Sequence, residues 1–281
     1  MQANPDITAP DALRPYQGFA SIIEQSDRGS SIYHGLQVNL KRRLSRDFLF
    51  GVAYTWAKLL DFGSGKGYEL PDVSNPRINY GPADFDLRNV LVVDYVWNLP
   101  YAKHASNWLV RNSLGNWQIS GVTQAQSGQP FSITDGNDYA GVGPGAGSQL
   151  WAPVNQVHMG RHFGSGGWFD ANAFENPDGT PAHPPEGTFS PRGSRNEWYN
   201  PGFQSWNLTA EKVFHVVPGH NSQQLTFRAE AFNFTNHPNL DSSSNASGMT
   251  TPGSGTFGEI TTKGQTYSSD REMQFSLRYT F

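Results

Sequence analysis

Few side chains in this sequence are arranged as a reactive or metal-binding site requires. His158 and His162 stand four residues apart, the spacing that places two ligands on one face of a helix, but they lie in a glycine-rich stretch without a nearby acidic partner. Asp84 and Asp86 alternate beside Arg88, where they could bind Ca²⁺ or form ion pairs. Ion pairing is the preferred interpretation, and we therefore predict no metal site.

Motifs of catalysis and of cofactor binding are equally missing from the sequence. It contains no Gly-x-Ser-x-Gly elbow and no pair of carboxylates set in apolar sequence. The glycine-rich stretches 63–67 and 141–147 lack the Gly-Lys-Ser/Thr ending of a phosphate loop. The absence of cysteine excludes thiolate zinc sites, iron–sulfur clusters and a cysteine nucleophile. We predict that the chain is not an enzyme and takes no cofactor; a hydrolase would need a nucleophile–base set that we do not find.

Composition narrows the classes of partner and of membrane attachment. The 281 residues carry a net charge of -4, and this mild acidity argues against a nucleic-acid partner. No apolar run approaches the roughly 18 residues of a transmembrane helix. The opening residues 1–6 are polar and broken by proline, unlike an export signal. The chain is therefore expected either to stay in the cytoplasm or to be the later part of a longer exported protein.

Alternation with a period of two recurs along the chain and predicts β-strands rather than helices. In one run, Phe48, Phe50 and Val52 share a face, while Gly51 and Ala53 take the other. We predict about eight strands, near the roughly 9–11 residues that a tilted membrane strand needs. The predicted strands cover 16–24, 30–43, 48–59, 87–99, 112–126, 204–214, 223–234 and 272–281.

The connections between these strands are predicted to be long on one side and mostly short on the other. The long ones are about 61–86, 134–203 and 235–270. This asymmetry is typical of outer-membrane barrels, whose long loops lie outside, and it places the carboxyl terminus on the periplasmic side. Aromatic residues near the strand ends suit an interfacial girdle. The alternative is a soluble β-sandwich, for instance a carbohydrate-binding module, which would also alternate.

The small residues on the inward face indicate a wide barrel. Eight strands could close only a narrow barrel whose interior is filled by side chains. Gly51, Ala53 and Ser120 are too small to fill it, so these strands are predicted to belong to a wider, water-filled wall with two unpaired edges. The predicted fold class is thus all-β, an antiparallel up-and-down transmembrane β-barrel segment.

Six segments together carry a family resemblance. They are YHGLQVNLKRRLSRDFLFGVAYTWAK (33–58), YGPADFDLRNVLVVDYVWNLP (80–100), NWQISGVTQAQSGQPFSI (116–133), GTFSPRGSRNEWYNPGFQSWNLTAEKVF (187–214), LTFRAEAFNFTNHPN (225–239) and MQFSLRYTF (273–281). In this order and spacing they resemble the barrel of TonB-dependent outer-membrane receptors, specifically the Oar-like group. The resemblance covers 16–281 and leaves 1–15 as an irregular lead-in.

The resemblance implies a location and a set of partners. A complete receptor of this kind has an exported amino terminus, a plug and a barrel of about 22 strands, of which this chain matches the carboxyl-terminal part. We therefore expect a truncated or fragmentary product without a plug, embedded in outer-membrane lipid. It would serve the uptake of an unknown solute, would not transport alone, and would reach the TonB complex only through the missing plug.

Two groups of residues are candidate functional sites. The terminal alternation of Phe275, Leu277, Tyr279 and Phe281 resembles the signal that the barrel-assembly machinery recognises; alternatively, it is an ordinary lipid-facing strand. In the long loop 134–203, aromatic and polar residues suit stacking on a ligand; alternatively, the aromatics only pack the loop. The residues of this possible ligand-contacting loop are Trp151, Trp168, Phe169, Arg192, Trp198 and Tyr199.

Overall fold

The protein is described by a computed structural model whose elements are almost all strands. The described residues are 16, 18–19, 29–45, 47–65, 70, 72, 74–102, 104–135, 137–141, 149–163, 167–190, 195–217, 220–243, 248–264 and 270–281. The strands are β1 (Ser31–Ser45), β2 (Phe48–Asp61), β3 (Gly81–Pro82), β4 (Asn89–Asn98), β5 (Trp117–Gln126), β6 (Pro130–Phe131), β7 (Thr134–Asp135), β8 (Gln149–Leu150), β9 (Met159–Phe163), β10 (Gly167–Phe169), β11 (Trp198–Tyr199), β12 (Phe203–Val217), β13 (His220–Phe232) and β14 (Glu272–Thr280). The helices are α1 (Trp108–Leu114) and two 3₁₀ turns, Pro76–Asn79 and Ala171–Phe174.

Seven long strands form one antiparallel sheet in the order β1-β2-β4-β5-β12-β13-β14, and the short β3 pairs with the end of β2. Each long strand lies beside the long strand that follows it in the chain, which is the predicted up-and-down arrangement. The loops 62–88, 127–202 and 233–271 all leave one end of the sheet, which we call the loop end. The opposite end, the turn end, carries the shorter connections. The prediction of an all-β, up-and-down sheet of about eight strands is confirmed.

The structure changes the bounds of several predicted strands. The strand predicted over 112–126 begins only at Trp117, because 108–114 form α1. The Asn107 side chain accepts a hydrogen bond from the Leu109 amide at 2.9 Å and so caps this helix. β12 runs three residues beyond the predicted 204–214. The strand predicted over 16–24 lies mostly outside the described residues, and Tyr16, Gly18 and Phe19 are not in a strand.

The pairing register collects the large apolar residues on one face of the sheet. Residues directly opposite each other on neighbouring strands point to the same face. One such row runs Phe48–Trp97–Ile119–Ala210–Ala229–Phe275 and crosses six strands. Trp56 and Phe48 stand eight residues apart on β2, about 26 Å at 3.3 Å per residue. Phe48 to Trp56 is nine residues, which reaches the roughly 9–11 that a tilted strand needs to cross a membrane.

The opposite face carries hydrophilic rows. One of them runs Asn98–Gln118–Glu211–Arg228–Ser276 across five strands. Its members bond to neighbours on the same face: Gln118 donates to Asn98 at 2.7 Å, and Arg228 pairs with Glu230 at 2.6 Å. A shift of one residue in any strand would bring these groups to the apolar face, so the alternation fixes the register.

The sheet is a single layer. Among the described residues no second sheet covers either face, and Leu277 on the apolar face is 66% exposed. A β-sandwich buries one face of each sheet against the other. The alternative fold, a soluble sandwich, is therefore not the architecture found.

The hydrophobic core of the described chain lies in the loops instead of the sheet. The loops 127–202 and 233–271, which we call the loop cap, contribute all of its buried members. Those members are Phe131, Ile133, Trp151, Phe169, Ala173, Phe174, Trp198, Met249, Phe257 and Ile260. Within the described ranges, no helix has the length and hydrophobicity needed to cross a membrane.

Candidate functional site in the loop cap

The core of the loop cap is built mainly from aromatic rings in edge contact. The centroids of Phe174 and Trp198 lie 5.5 Å apart, and those of Phe169 and Phe257 lie 5.2 Å apart, both pairs nearly perpendicular. Such edge-to-face pairs add stabilisation to the burial of their large surfaces. Phe257 comes from the loop 233–271 and the other three from 127–202, so this packing joins two separate loops.

The structure separates the predicted ligand-contacting residues into two groups. Trp151, Phe169 and Trp198 are buried in the cap core, with no more than 5% of each exposed. Trp168 and Tyr199 are half-buried and in contact, because the Trp168 indole donates to the Tyr199 carbonyl at 2.8 Å. Arg192, the sixth predicted residue, lies outside the described residues. The first group has the packing described by the alternative interpretation, and the second keeps some solvent-accessible surface.

The residues 195–202, which we call the rim segment, pass unusually close to the loop end of the sheet. A Cβ on Gly81 would lie 2.5 Å from the Arg195 carbonyl oxygen, and a Cβ on Gly128 would lie 1.8 Å from that of Asn200. Both distances are far below an ordinary contact, so only glycine permits this approach. The rim segment thus packs the loop cap closely against the loop end of the sheet.

Arg195 fixes one end of the rim segment through a buried guanidinium group. Its side chain is 1% exposed, and Nη1 donates to the Asp61 carboxylate at 2.7 Å and to the Asp61 carbonyl at 3.1 Å. Nη2 donates to Ser64 Oγ at 2.7 Å and to the Asp84 carboxylate at 3.2 Å. Because a buried charge is tolerated only when paired and hydrogen-bonded, these contacts hold the cap against the end of β2 and the loop after it.

Two asparagines hold the rest of the rim segment. The Asn196 amide donates to the Pro82 carbonyl at 2.7 Å and to the Asp84 carboxylate at 2.6 Å, from a backbone with φ of 53°. The Asn200 amide donates to the Gln129 carbonyl at 2.9 Å, and its side-chain oxygen accepts from the Ser243 amide at 2.6 Å. The rim segment therefore bonds to the loops on both sides of it.

Asp84, Asp86 and Arg88 take part in the ion pairing that the sequence indicates. Asp84 accepts from Arg195, as described above, and Asp86 lies 3.6 Å from the Arg88 guanidinium. Asp86 also accepts from the Leu59 amide at 2.8 Å, which attaches this turn to β2. Arg88 donates to the Tyr199 hydroxyl at 3.2 Å and so reaches the rim segment. These contacts agree with the interpretation that the acidic pair is structural.

His158 and His162 do not occupy a helix. β9 begins at Met159, so the spacing of four does not place the two residues one helical turn apart. The side chain of His162 lies outside the described residues. The His158 carbonyl accepts from the Asp170 amide at 3.2 Å, a contact that supports the chain before β9.

A shallow cleft of about 470 Å³ opens on the surface of the loop cap. It is lined by Val154, Asn155, Asn172, Glu175, Asn176, Pro177 and Gly179. Beside it, the Thr180 hydroxyl donates to Asp178 at 2.6 Å and lowers the pKa of that carboxyl. The cleft offers amide and carboxylate groups for hydrogen bonds to a polar molecule.

The rim segment contains one carboxyl group with a shifted pKa. Partial burial of this group raises the pKa of Glu197, although much of the residue is exposed.

The predicted assembly signal lies at one edge of the sheet. Phe275, Leu277 and Tyr279 occupy the apolar face of β14, and the Phe275 ring stacks against Phe227 of β13 at 6.3 Å. Phe281 follows the strand, stacks against Tyr279 at 5.9 Å and is 91% exposed. The four residues form one apolar stripe that ends at the chain terminus.

The most buried polar contacts of the site escaped prediction. Arg195 and Asn196 lie inside one segment that carries the family resemblance, and Gly81 and Asp84 lie inside another. Nothing in either segment alone indicates that they meet across 111 residues of chain. The local signal that could have been used is Arg195 itself, a charged residue between small and polar residues in a long loop rich in aromatic residues.

Comparisons with known proteins add a family assignment. The family model described as an outer membrane beta barrel domain matches residues 2–274. Searches of the curated proteins and of the solved structures found no match.

Proposed function

Because the chain belongs to the outer membrane beta barrel domain family, we propose that its seven long strands form part of the barrel wall of a TonB-dependent receptor. Such a receptor imports a scarce or bulky solute across the outer membrane. The family assignment places the chain in the outer membrane, while the receptor class rests on the Oar-like segments quoted above. In this proposal the loop end faces outward and the carboxyl terminus lies on the periplasmic side.

The observation that carries the proposal is the ordered loop cap above a wall whose inward face is hydrophilic. Arg195 and the rim segment hold the cap at the loop end, and the aromatic core keeps its shape. A binding surface that is ordered beforehand loses less conformational entropy when a solute binds. Ala53 on the hydrophilic face is exposed and leaves space in front of the wall, whereas the Asp94 side chain fills the space in front of Gly51. An outer binding surface above a wide passage suits a receptor.

We propose that the solute contacts the outer surface of the loop 134–203. The half-buried Trp168 and Tyr199 supply aromatic surface, and the cleft near Asn172 and Glu175 supplies hydrogen-bonding groups. These groups suit a polar solute with some apolar surface. The wall and cap supply the passage and the outer contacts only. Energy from TonB would arrive through a plug, so the seven strands would not transport alone.

A comparison of two deletion strains tests the receptor proposal. In the host bacterium, one strain lacks this gene and the other lacks TonB, and uptake of labelled iron chelates, cobalamin, oligosaccharides and peptides is measured in both. We expect one class of solute to lose its uptake in both strains. Loss in the first strain with normal uptake in the second would indicate a passive pore and overturn the proposal.

Adjacent valines on β4 allow a matched test of the wall in the membrane. Val93 lies in the apolar face and Val92 in the hydrophilic face. We expect Val93→Arg to make folding into a bilayer less favourable by about 2–4 kcal/mol, the cost of arginine near the midplane. Val92→Arg should cost less than about 1 kcal/mol, because its charge meets water. Denaturant titration in lipid vesicles measures both, and equal losses would contradict the assignment of the faces.

The terminal stripe is proposed to be the signal read by the barrel-assembly machinery. Deletion of Phe281 from the full-length protein is expected to lower the yield of inserted barrel severalfold, because the exposed terminal ring is lost while the pairing of β14 is unchanged. Phe281→Tyr keeps an aromatic terminus and should insert normally. Heat-modifiable mobility of outer-membrane extracts measures the inserted fraction. An unchanged yield after the deletion would reduce Phe281 to an ordinary lipid-facing residue.

A further inference from the structure

The longest connection at the turn end contains a short, well-defined helix. α1 follows Asn107, whose side chain caps the helix, and it ends at Gly115, whose amide donates to the Arg111 carbonyl at 3.0 Å. The Ser113 hydroxyl donates back to the Leu109 carbonyl at 2.6 Å, so this polar group is satisfied within the helix. α1 is thus a fixed element at an end of the wall where most connections are shorter.

The helix is attached to the wall through one side of its surface. The Asn112 side chain donates to the His215 carbonyl at 3.0 Å and accepts from the His215 amide at 2.7 Å. β5 begins at Trp117, opposite Lys212 of β12. The two hydrogen bonds between Asn112 and His215 therefore bind the part of β12 that extends past β5. Lys212 comes from the apolar face and donates to the Gly115 carbonyl, with its ammonium group 4.8 Å from the centre of the Phe214 ring. α1 therefore lies at the turn end of the sheet, beside β12.

Three apolar residues of α1 are exposed along one arc of the helix. At 100° per residue, Val110 and Leu114 both lie about 160° from Asn112. Leu109 lies about 60° from Asn112, so the arc that joins it to Leu114 is about 140° wide and also contains Ser113. Leu109, Val110 and Leu114 are 65%, 40% and 61% exposed. Burial of a leucine or valine side chain is worth about 1.5–3 kcal/mol, so water is a poor environment for this arc.

We propose that α1 lies in the phospholipid interface at the turn end, with Leu109, Val110 and Leu114 inserted among the upper parts of the acyl chains. The lipid-facing surface of the wall leads directly to it, because Trp97 and Trp117 stand on the apolar face at the same end. Aromatic residues at that level mark the membrane interface, and a helix with one apolar arc binds there.

Arg111 suits the same placement from the polar side of the helix. It is exposed and lies about 100° from Asn112, next to the Leu114 end of the apolar arc. One guanidinium nitrogen donates to the Ala105 carbonyl at 3.4 Å, and the other N–H groups can reach lipid phosphates. α1 would then act as an interfacial anchor that holds the turn end of the wall at the bilayer surface. The inference rests on the position of the wall in the outer membrane and not on the receptor class.

Single-cysteine labelling tests the inference, since this chain has no cysteine of its own. Leu109→Cys, Val110→Cys and Leu114→Cys are labelled with an environment-sensitive dye in protein reconstituted into phosphatidylethanolamine–phosphatidylglycerol vesicles. Lipids with a nitroxide near the headgroup serve as quenchers. Leu277→Cys on the wall is the lipid-facing control, and Gly255→Cys, where nothing lies within 4 Å of an added Cβ, is the solvent control.

We expect the three α1 labels to be quenched at least twice as strongly as the Gly255 label. Quenching of the Leu277 label alone, with the α1 labels equal to the Gly255 label, would overturn the inference and leave the wall in the membrane. Absence of quenching at Leu277 as well would overturn both the inference and the placement of the wall. Heat-modifiable mobility of each variant confirms that the protein measured is folded.

Discussion

Replacement of Arg195 by methionine is expected to release the loop cap from the wall while the strands remain inserted. Methionine has a similar length but leaves the Asp61 carboxylate, on a side chain that is 9% exposed, without its guanidinium partner. Removal of one partner of a buried ion pair costs about 3–5 kcal/mol. At about 1.4 kcal/mol for each factor of ten, the undocked cap should become more than a hundredfold more populated.

Protease cleavage within the loop 127–202 measures this population, because cleavage follows the open fraction when reclosing is fast. Arg228→Met is the matched control: Arg228 also pairs with a carboxylate, Glu230, but its side chain is 46% exposed. An exposed pair contributes less than about 1 kcal/mol, so the cleavage rate should change less than about fivefold. Arg195→Met cleaved at the wild-type rate would show that the buried pair does not hold the cap.

A single methyl group at Gly128 is expected to displace the rim segment. The Cβ of alanine would lie 1.8 Å from the Asn200 carbonyl oxygen and 2.8 Å from that of Pro201, both of them backbone atoms. The rim segment would have to retreat by more than about 1 Å, losing the hydrogen bonds from Asn200 to the Gln129 carbonyl. Overpacking of this kind costs about 1–3 kcal/mol and more where backbone must move. We expect a loss of about 3 kcal/mol in the stability of the docked cap.

Thermal and protease resistance of the cap measure the effect of Gly128→Ala. Gly255→Ala is the control, since an added Cβ meets nothing within 4 Å there, and its effect should stay within about 0.5 kcal/mol. A Gly128→Ala protein with an intact, protected cap would mean that the rim segment has room to adjust. The position would then be a close contact without consequence for the docking of the cap.

The strands of the wall could be predicted because the alternation that defines each of them lies within a short stretch of sequence. The predicted run 272–281 and the observed β14, Glu272–Thr280, begin at the same residue and differ by one residue at the end. Alternation specifies a face at every second residue, and neighbouring strands must match faces, so strand positions and sheet order follow together. α1 was missed because seven residues give only two turns, too few for a helical period to stand out from the adjacent strand pattern.

The loop cap was predictable only as a loop. In sequence, its aromatic residues are compatible with both ligand contact and internal packing, because burial depends on which distant segments meet. Trp151 is 2% exposed only through the packing of the cap around it. Likewise the partners Asp61 and Arg195 are 134 residues apart, and no local pattern joins them. Long-range polar contacts of this kind need the fold before they can be identified.

Because the hydrophobic core lies in the cap, the stability of the cap depends on water, whereas the stability of the strands depends on the lipid bilayer. Urea acts on the cap as it acts on any water-soluble domain, since the cap is held by apolar burial in water. Strands in a bilayer are held by inter-strand hydrogen bonds that hydrocarbon strengthens. A single denaturation midpoint therefore cannot describe this molecule, and its melting is better written as two equilibria that share the Arg195 contact.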